Sequence, residues 1–189
     1  MCFISLVNAQ DINLPAPQKT GGKAFFETVN ERRSERTFVK KEMPRQLLSN
    51  LLWVANGFNR EDKRTVPTAM NRQEMELYVV LDNAAYFYDA KNNVLKLVAK
   101  GDHRSALGQP NITNNAAVNI VMVADLNKSS KENAGISSGY ISQNIYLFAA
   151  SENLGTVARG SFNAAELAKA LLLTDKQAIT LVQPVGFLK

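Results

Sequence analysis

The sequence predicts an α+β fold, and three observations carry that prediction. Helical spacing dominates the first third, short apolar runs rich in β-branched and aromatic residues fill the middle, and one long apolar helix precedes a last helix and strand. Helices and strands therefore mix without strict βαβ alternation. A length of 189 residues favours one sizeable core over two small ones.

The elements follow in chain order. Val7 and Ala9 are small or β-branched residues at the third and first positions before a cut, so residues 1–9 read as a signal-peptide remnant with Gln10 as the mature start. The charged start and half of the apolar stretch of such a signal are missing, and an apolar arm packed on the body is the alternative. Location follows the same fork: exported if the cut is made, cytoplasmic otherwise. Residues 10–22 carry prolines and glycines without periodicity and read as an extended linker or arm; residues 23–189 form the domain.

Ala24, Phe25, Thr28 and Val29 define a helical stripe that ends in a basic cluster. Pro44 suits the first position of a helix in which Leu47, Leu48, Leu51, Leu52 and Ala55 repeat, closed by Gly57. Both are predicted core helices. Met75 to Leu81 reads as a strand, and Ala85 to Asp89 with Val94 to Ala99 as a hairpin around Lys91-Asn92-Asn93. Ala116 to Asp125 is a buried strand followed by a polar loop. From Ser138 to Leu154 a helix is apolar around most of its circumference, so both its sides should be covered. Tyr140 and Tyr146 are placed in its core. A helix in NAAELAKALLL and a strand in AITLVQPVGF complete the chain.

Composition excludes several chemistries. With one histidine, His103, and one cysteine, Cys2, the chain cannot build a zinc site, a cysteine–histidine nucleophile or a disulfide framework. No metal site is expected. The net charge of +5 (22 basic against 17 acidic residues) suggests nucleic acid at first, but the basic residues have acidic neighbours, as in ERRSER and REDKR. Neither a nucleic-acid nor a membrane partner is expected.

Two motif matches fail. Gly135 to Gly139 spells G-x-S-x-G, but a charged loop precedes it and the only histidine lies upstream of Ser137, so a capped helix start is the better account. Gly155 and Gly160 have phosphate-loop spacing, yet Ser161 stands where the lysine belongs. The segment ERRSERTF, residues 31–38, is stronger. Arginines with a serine offer forked cationic donors and a hydroxyl, a set that suits a phosphate. Arginines at a helix end also merely complement its dipole.

In company, these segments resemble the nitroreductase family of flavin mononucleotide (FMN) enzymes, closest to the branch of azoline dehydrogenases (SagB-type). The matching blocks are RRSERTF, PTAMNRQ, the YFYDAKNNVLKLVAKGDHRSAL hairpin, SGYISQNIYLFAASENLGTVARGSF and the closing QPVGFLK. The resemblance implies a three-layer sandwich with a central mixed β-sheet flanked by helices, and a homodimer with FMN at the interface. It implies that Arg32, Arg33, Ser34 and Arg36 hold the FMN phosphate and ribityl chain, with Arg36 nearest the pyrimidine edge. Thr68, Ala69, Met70 and Asn71 match the loop that reaches the flavin from the other subunit. Ala158, Arg159 and Gly160 match the segment beside its reactive nitrogen, with Gly160 in contact, and Lys189 stands near a basic phosphate ligand.

Arg159 replaces the acidic residue of some members. The implied activity is ping-pong transfer of hydride from NADH or NADPH through the flavin to a nitroaromatic, quinone or similar small acceptor, with no catalytic side chain. Two alternatives stay open at this point: a peptide azoline dehydrogenase using oxygen, and a non-catalytic flavin-binding protein.

Overall fold

In the computed structural model, residues 9–189 are described. The elements are β1 (Ile12–Asn13), α1 (Phe25–Glu31), α2 (Arg45–Asn56), β2 (Phe58–Arg60), β3 (Lys63–Arg64), β4 (Met75–Val80), β5 (Ala84–Asp89), β6 (Val94–Lys100), α3 (Pro110–Thr113), β7 (Val118–Asp125), α4 (Lys131–Ser151), β8 (Leu154–Thr156), α5 (Ala164–Ala170) and β9 (Gln177–Phe187). Single 3-10 turns lie at Ala69–Asn71 and Arg104–Leu107.

Period-two alternation in the central strands creates the layers. Met75, Leu77 and Val79 of β4 and Ile120, Met122 and Ala124 of β7 face α2 and α4, where Leu51, Leu52, Ile141 and Ile145 are buried. Tyr78 and Val80 of β4 and Val121 and Val123 of β7 face the opposite way, against Ala106, Leu107, Leu167 and Leu171. In the register, Leu77 stands opposite Met122 and Val79 opposite Ile120, so like faces meet across the strands. The result is an α+β three-layer sandwich around a seven-stranded sheet of order β1-β6-β5-β4-β7-β9-β8.

Every ladder of that sheet is antiparallel, which narrows the expected mixed sheet. Short turns join β4 to β5 and β5 to β6, and such turns can link only antiparallel neighbours.

Five local expectations are corrected. The stretch after Gln10 is sewn to the body: Ile12 and Asn13 pair with β6, Leu14 is buried, and the Pro15 carbonyl accepts from Ser49 Oγ and Asn93 Nδ2. The polar loop after Asp125 is shorter than expected: its last residues, Lys131 to Asn133, already belong to α4, whose cap is the Ser130 hydroxyl accepting from the Asn133 N–H. Gly135 to Gly139 therefore sits inside the helix instead of starting it. Tyr140 is 46% exposed, not core. Likewise only Thr28 of the α1 stripe is buried, while Phe25 and Phe26 are 65% and 85% exposed.

Ala9 packs against the main core, and the rest of the expected signal remnant lies outside the described residues. No helix among the described residues is long and apolar enough to cross a membrane.

Candidate flavin site

The site is assembled where the chain leaves α1. The helix ends at Arg32, whose backbone turns to an extended conformation while its N–H still bonds to the Thr28 carbonyl. The next residues run along the edge of the sheet: the Glu35 N–H donates to the Thr156 carbonyl of β8, and the Val39 N–H to the Phe187 carbonyl of β9. Gly155 makes this approach possible. A Cβ there would stand 2.7 Å from Leu188 Cδ2 and 2.9 Å from both Glu35 Cβ and Phe38 Cε1, closer than side chains pack.

A cleft of about 480 Å³ opens at this junction, lined among others by Glu31, Arg32, Arg33, Glu35, Tyr146 and Leu188. Tyr146 of α4, in its lining, ties three neighbouring groups together. Its hydroxyl lies 2.9 Å from Ser34 Oγ and accepts the Ala158 N–H at 2.9 Å, and its ring carries the Arg32 guanidinium at 5.3 Å. The sequence reading gave this tyrosine no role in the site. Its signal was chemical: a half-buried tyrosine needs a partner for its hydroxyl.

Charge in the cleft is unevenly matched. Glu31 pairs with Lys23 at 2.6 Å, and Glu35 pairs with Arg33. Arg32 has only the tyrosine ring, and exposed Arg36, just beyond the cleft lining, has no hydrogen bond or ion pair among the described residues. The cleft carboxylates are thus already neutralised, leaving forked cations free for an anion.

The segment after β8 divides its donors. Ala158 N–H is taken by Tyr146, and Arg159 N–H by the Val182 carbonyl at 2.8 Å. Gly160 N–H has no partner among the described residues, and a Cβ on Gly160 would meet nothing within 4 Å. The Arg159 side chain, which the sequence left unplaced, is only 7% exposed and turns inward to the Gly108 and Ser161 carbonyls. Its burial lowers its pKa.

The remaining expected residues lie apart. Thr68 to Asn71 form a stiff loop, with Met70, Asn71 and Gln73 all at positive φ. The Gln73 N–H donates to Thr68 Oγ1, and its side-chain amide donates to the Asp62 carbonyl. Met70 is exposed and accepts from Arg72 at 3.5 Å, and neither a hydrogen bond nor an ion pair ties the loop to Arg32, Arg33 or Arg36 within the described residues of one chain. Lys189 is exposed, although its neighbour Leu188 lines the cleft. Half-buried His103 has its ring Nε2 beside the Lys100 carbonyl at 3.1 Å and takes no part. Among the described residues, no group of His, Cys, Asp and Glu could hold a metal ion.

Comparison with known proteins bears on the fold and the family. A protein assigned as a nitroreductase in Ralstonia eutropha has a crystal structure that superposes with a TM-score of 0.89 at 31% identity, covering 96% of this chain and 90% of that one. A Methanocaldococcus jannaschii protein assigned likewise is 25% identical over 174 residues, 82% of this chain and 87% of its own length. A chain of the E. coli microcin synthetase McbBCD complex shares the fold at a TM-score of 0.71 and 16% identity, over 94% of this chain and 79% of that one. Residues 29–187 match the Nitroreductase family, and the chain belongs to it.

Proposed function

We propose that the protein is an FMN-dependent oxidoreductase that takes hydride from NADH or NADPH and passes the electrons to a small acceptor such as a nitroaromatic or quinone. One observation carries the reading: Tyr146, in the lining of the arginine cleft, holds Ser34 and the Ala158 N–H on one hydroxyl, which brings the segment leading to Gly160 next to a cleft whose unpaired donors fit an anionic cofactor. When bound, the flavin supplies the hydride and electron chemistry.

The chain's own residues bind, orient and exclude water. Arg32 and Arg36 supply free guanidinium donors for the phosphate, with Arg33 and the Ser34 hydroxyl beside them. At Arg32 and Arg36 the strength comes from charge-assisted hydrogen bonds that no local carboxylate competes for, whereas Arg33 is shared with Glu35. Gly160 offers an open N–H to the ring edge, and the bare Cα lets a flat ring approach. Lys189 extends the cationic rim. The loop of Thr68, Ala69, Met70 and Asn71 serves the site of the opposite subunit in a homodimer, where Met70 gives apolar contact and Asn71 in-plane polar atoms.

Anaerobic addition of NADH or NADPH to the yellow purified protein tests this, and bleaching of the flavin band is expected. A yellow protein that neither nucleotide reduces would overturn the reductase reading. That outcome would favour the second one, in which electrons are drawn from a peptide azoline and delivered to oxygen. The microcin synthetase chain, seen in a complex with a truncated pro-peptide bound, supports it by showing the same fold in such a setting.

A further inference from the structure

Arg159, next to Gly160, is a buried cation whose cost its partners do not explain. Its side chain is 7% exposed, its Nε is buried without an acceptor, and none of the ion pairs among the described residues involves it. A buried cation without a counter-anion is destabilising on its own account. The guanidinium nevertheless has a definite posture: one terminal nitrogen donates to the Ser161 carbonyl at 2.8 Å, the other to the Gly108 carbonyl at 3.4 Å.

These acceptors belong to different parts of the chain. Ser161 follows Gly160 directly, while Gly108 and Gln109 form a turn at positive φ between the Arg104–Leu107 turn and α3. Gly108 and the guanidinium are in ordinary contact: a Cβ on Gly108 would lie 3.6 Å from an Arg159 terminal nitrogen and 3.8 Å from the Ser161 carbonyl oxygen. The Arg159 backbone is meanwhile fixed to Val182 in both directions, N–H to carbonyl at 2.8 Å and carbonyl to N–H at 2.9 Å. A residue anchored to β9 by its backbone and to a separate turn by its side chain cannot shift without moving Gly160.

We propose that Arg159 is a positioning residue of the flavin site: its buried guanidinium clamps the Gly108–Gln109 turn to residues 158–161 and sets a fixed positive charge beside Gly160. The assignment rests on the flavin reading given above. Hydride carries two electrons and one proton, so its arrival adds one negative charge to the bound ring. A nearby uncompensated cation in a low-dielectric setting stabilises that added charge. The missing counter-anion is thereby accounted for by the reaction itself.

The test compares full-length wild type with R159M, which removes the charge, and R159K, which keeps the charge but not the fork. Two readouts are taken: the midpoint potential of bound FMN by anaerobic titration, and amide exchange of the FMN-free protein. In R159M the preference for reduced over oxidised FMN is expected to fall at least tenfold, about 30 mV for a two-electron couple; R159K should recover at least half of that. Exchange in residues 106–113 should rise about tenfold in both variants while β7 is unchanged.

Raised exchange with an unchanged potential would make Arg159 structural only and overturn the proposal, as would unchanged exchange. If R159M does not fold, R159K decides on the same two readouts, and wild-type values in it overturn the proposal. Wild-type protein that binds no FMN overturns the flavin reading first, whereas bound FMN with a wild-type potential in R159M overturns only the role of Arg159.

Discussion

The hydroxyls of Ser34 and Tyr146 stand 2.9 Å apart, and the same Tyr146 oxygen accepts the Ala158 N–H. Two segments 112 positions and 12 positions away from the tyrosine thus meet on one atom. Tyr146→Phe removes that atom and leaves the Ala158 N–H without an acceptor. Thermal unfolding should report a loss of about 1–2 kcal/mol, or about 2–8 °C in a chain of this size. FMN affinity should fall as well, since the Ser34 and Ala158 segments lose their tie. A variant with wild-type stability and wild-type FMN affinity would show that the shared hydroxyl organises nothing.

Arg36→Ala separates binding from folding. The residue is exposed and unpaired, so its removal should leave the unfolding temperature unchanged, while FMN affinity falls by about 1.5–3 kcal/mol, roughly 10- to 150-fold. Arg32→Ala should match that affinity loss and add about 0.5–1 kcal/mol of destabilisation from the lost contact with the Tyr146 ring. Titration of FMN fluorescence quenching measures both. Unchanged affinity in the two variants would misplace the phosphate.

Two glycines of the same stretch should respond in opposite ways. Gly155→Ala places a methyl group 2.7 Å from Leu188 Cδ2 and 2.9 Å from Glu35 Cβ and Phe38 Cε1. Overpacking of this kind costs about 1–3 kcal/mol. Gly160→Ala meets no atom within 4 Å, so the FMN-free protein should keep its stability, and any loss should appear only in FMN binding. Calorimetry with and without FMN distinguishes them; equal destabilisation in the free protein would contradict the contrast.

The glycine pair also shows how far the sequence could be read. The long strands and α2 were legible because alternation and helical spacing persist over several residues. β1 was not, since a two-residue strand has no period and exists only through its pairing with Leu95 and Val94. The first turn of α4 was read as a loop because Lys131, Glu132 and Asn133 are solvated, and Ser130 rather than the following glycines marks the start. The stripe of Phe25 and Val29 is periodic whether it faces the chain's own core or another surface, so spacing alone assigned it to the core. For the site, the arginines were visible as residue types, but Tyr146 and the inward turn of Arg159 depend on the meeting of distant segments.

Asp89 makes acid sensitivity testable. The Asn92 side-chain amide and the Lys96 ammonium hold its carboxyl down at about 2, below the ordinary 3.8. A folded-state pKa below the unfolded one stabilises the protein above the unfolded value, and the stabilisation is lost as pH falls through the folded one. Stability should therefore decline from about pH 4 towards pH 2, by about 1–2 kcal/mol from this group. Asp89→Asn should be less stable at neutral pH and lose that share of the acid slope. Urea midpoints at several pH values measure it, and an identical slope in the variant would rule Asp89 out as its source.

The exposed face of α4 bears on assembly. Gly135, Ile136, Gly139 and Tyr140 lie on one side of the helix at spacings of three and four, with Ile136 56% and Tyr140 46% exposed. The glycines carry no side chain there, so a Cβ at either would meet nothing within 4 Å and a second backbone could approach closely. Phe25 and Phe26 on α1 are exposed as well, and these are apolar residues that a homodimer would bury. Ile136→Glu with Tyr140→Glu points two charges outward without touching the core, so each subunit should stay folded. Sedimentation should then show half the wild-type mass, and FMN should be lost with it, because the Thr68–Asn71 loop could no longer reach the opposite site. A wild-type mass in the double variant would place the interface elsewhere, and a folded monomer that keeps FMN would show that one chain completes the site by itself.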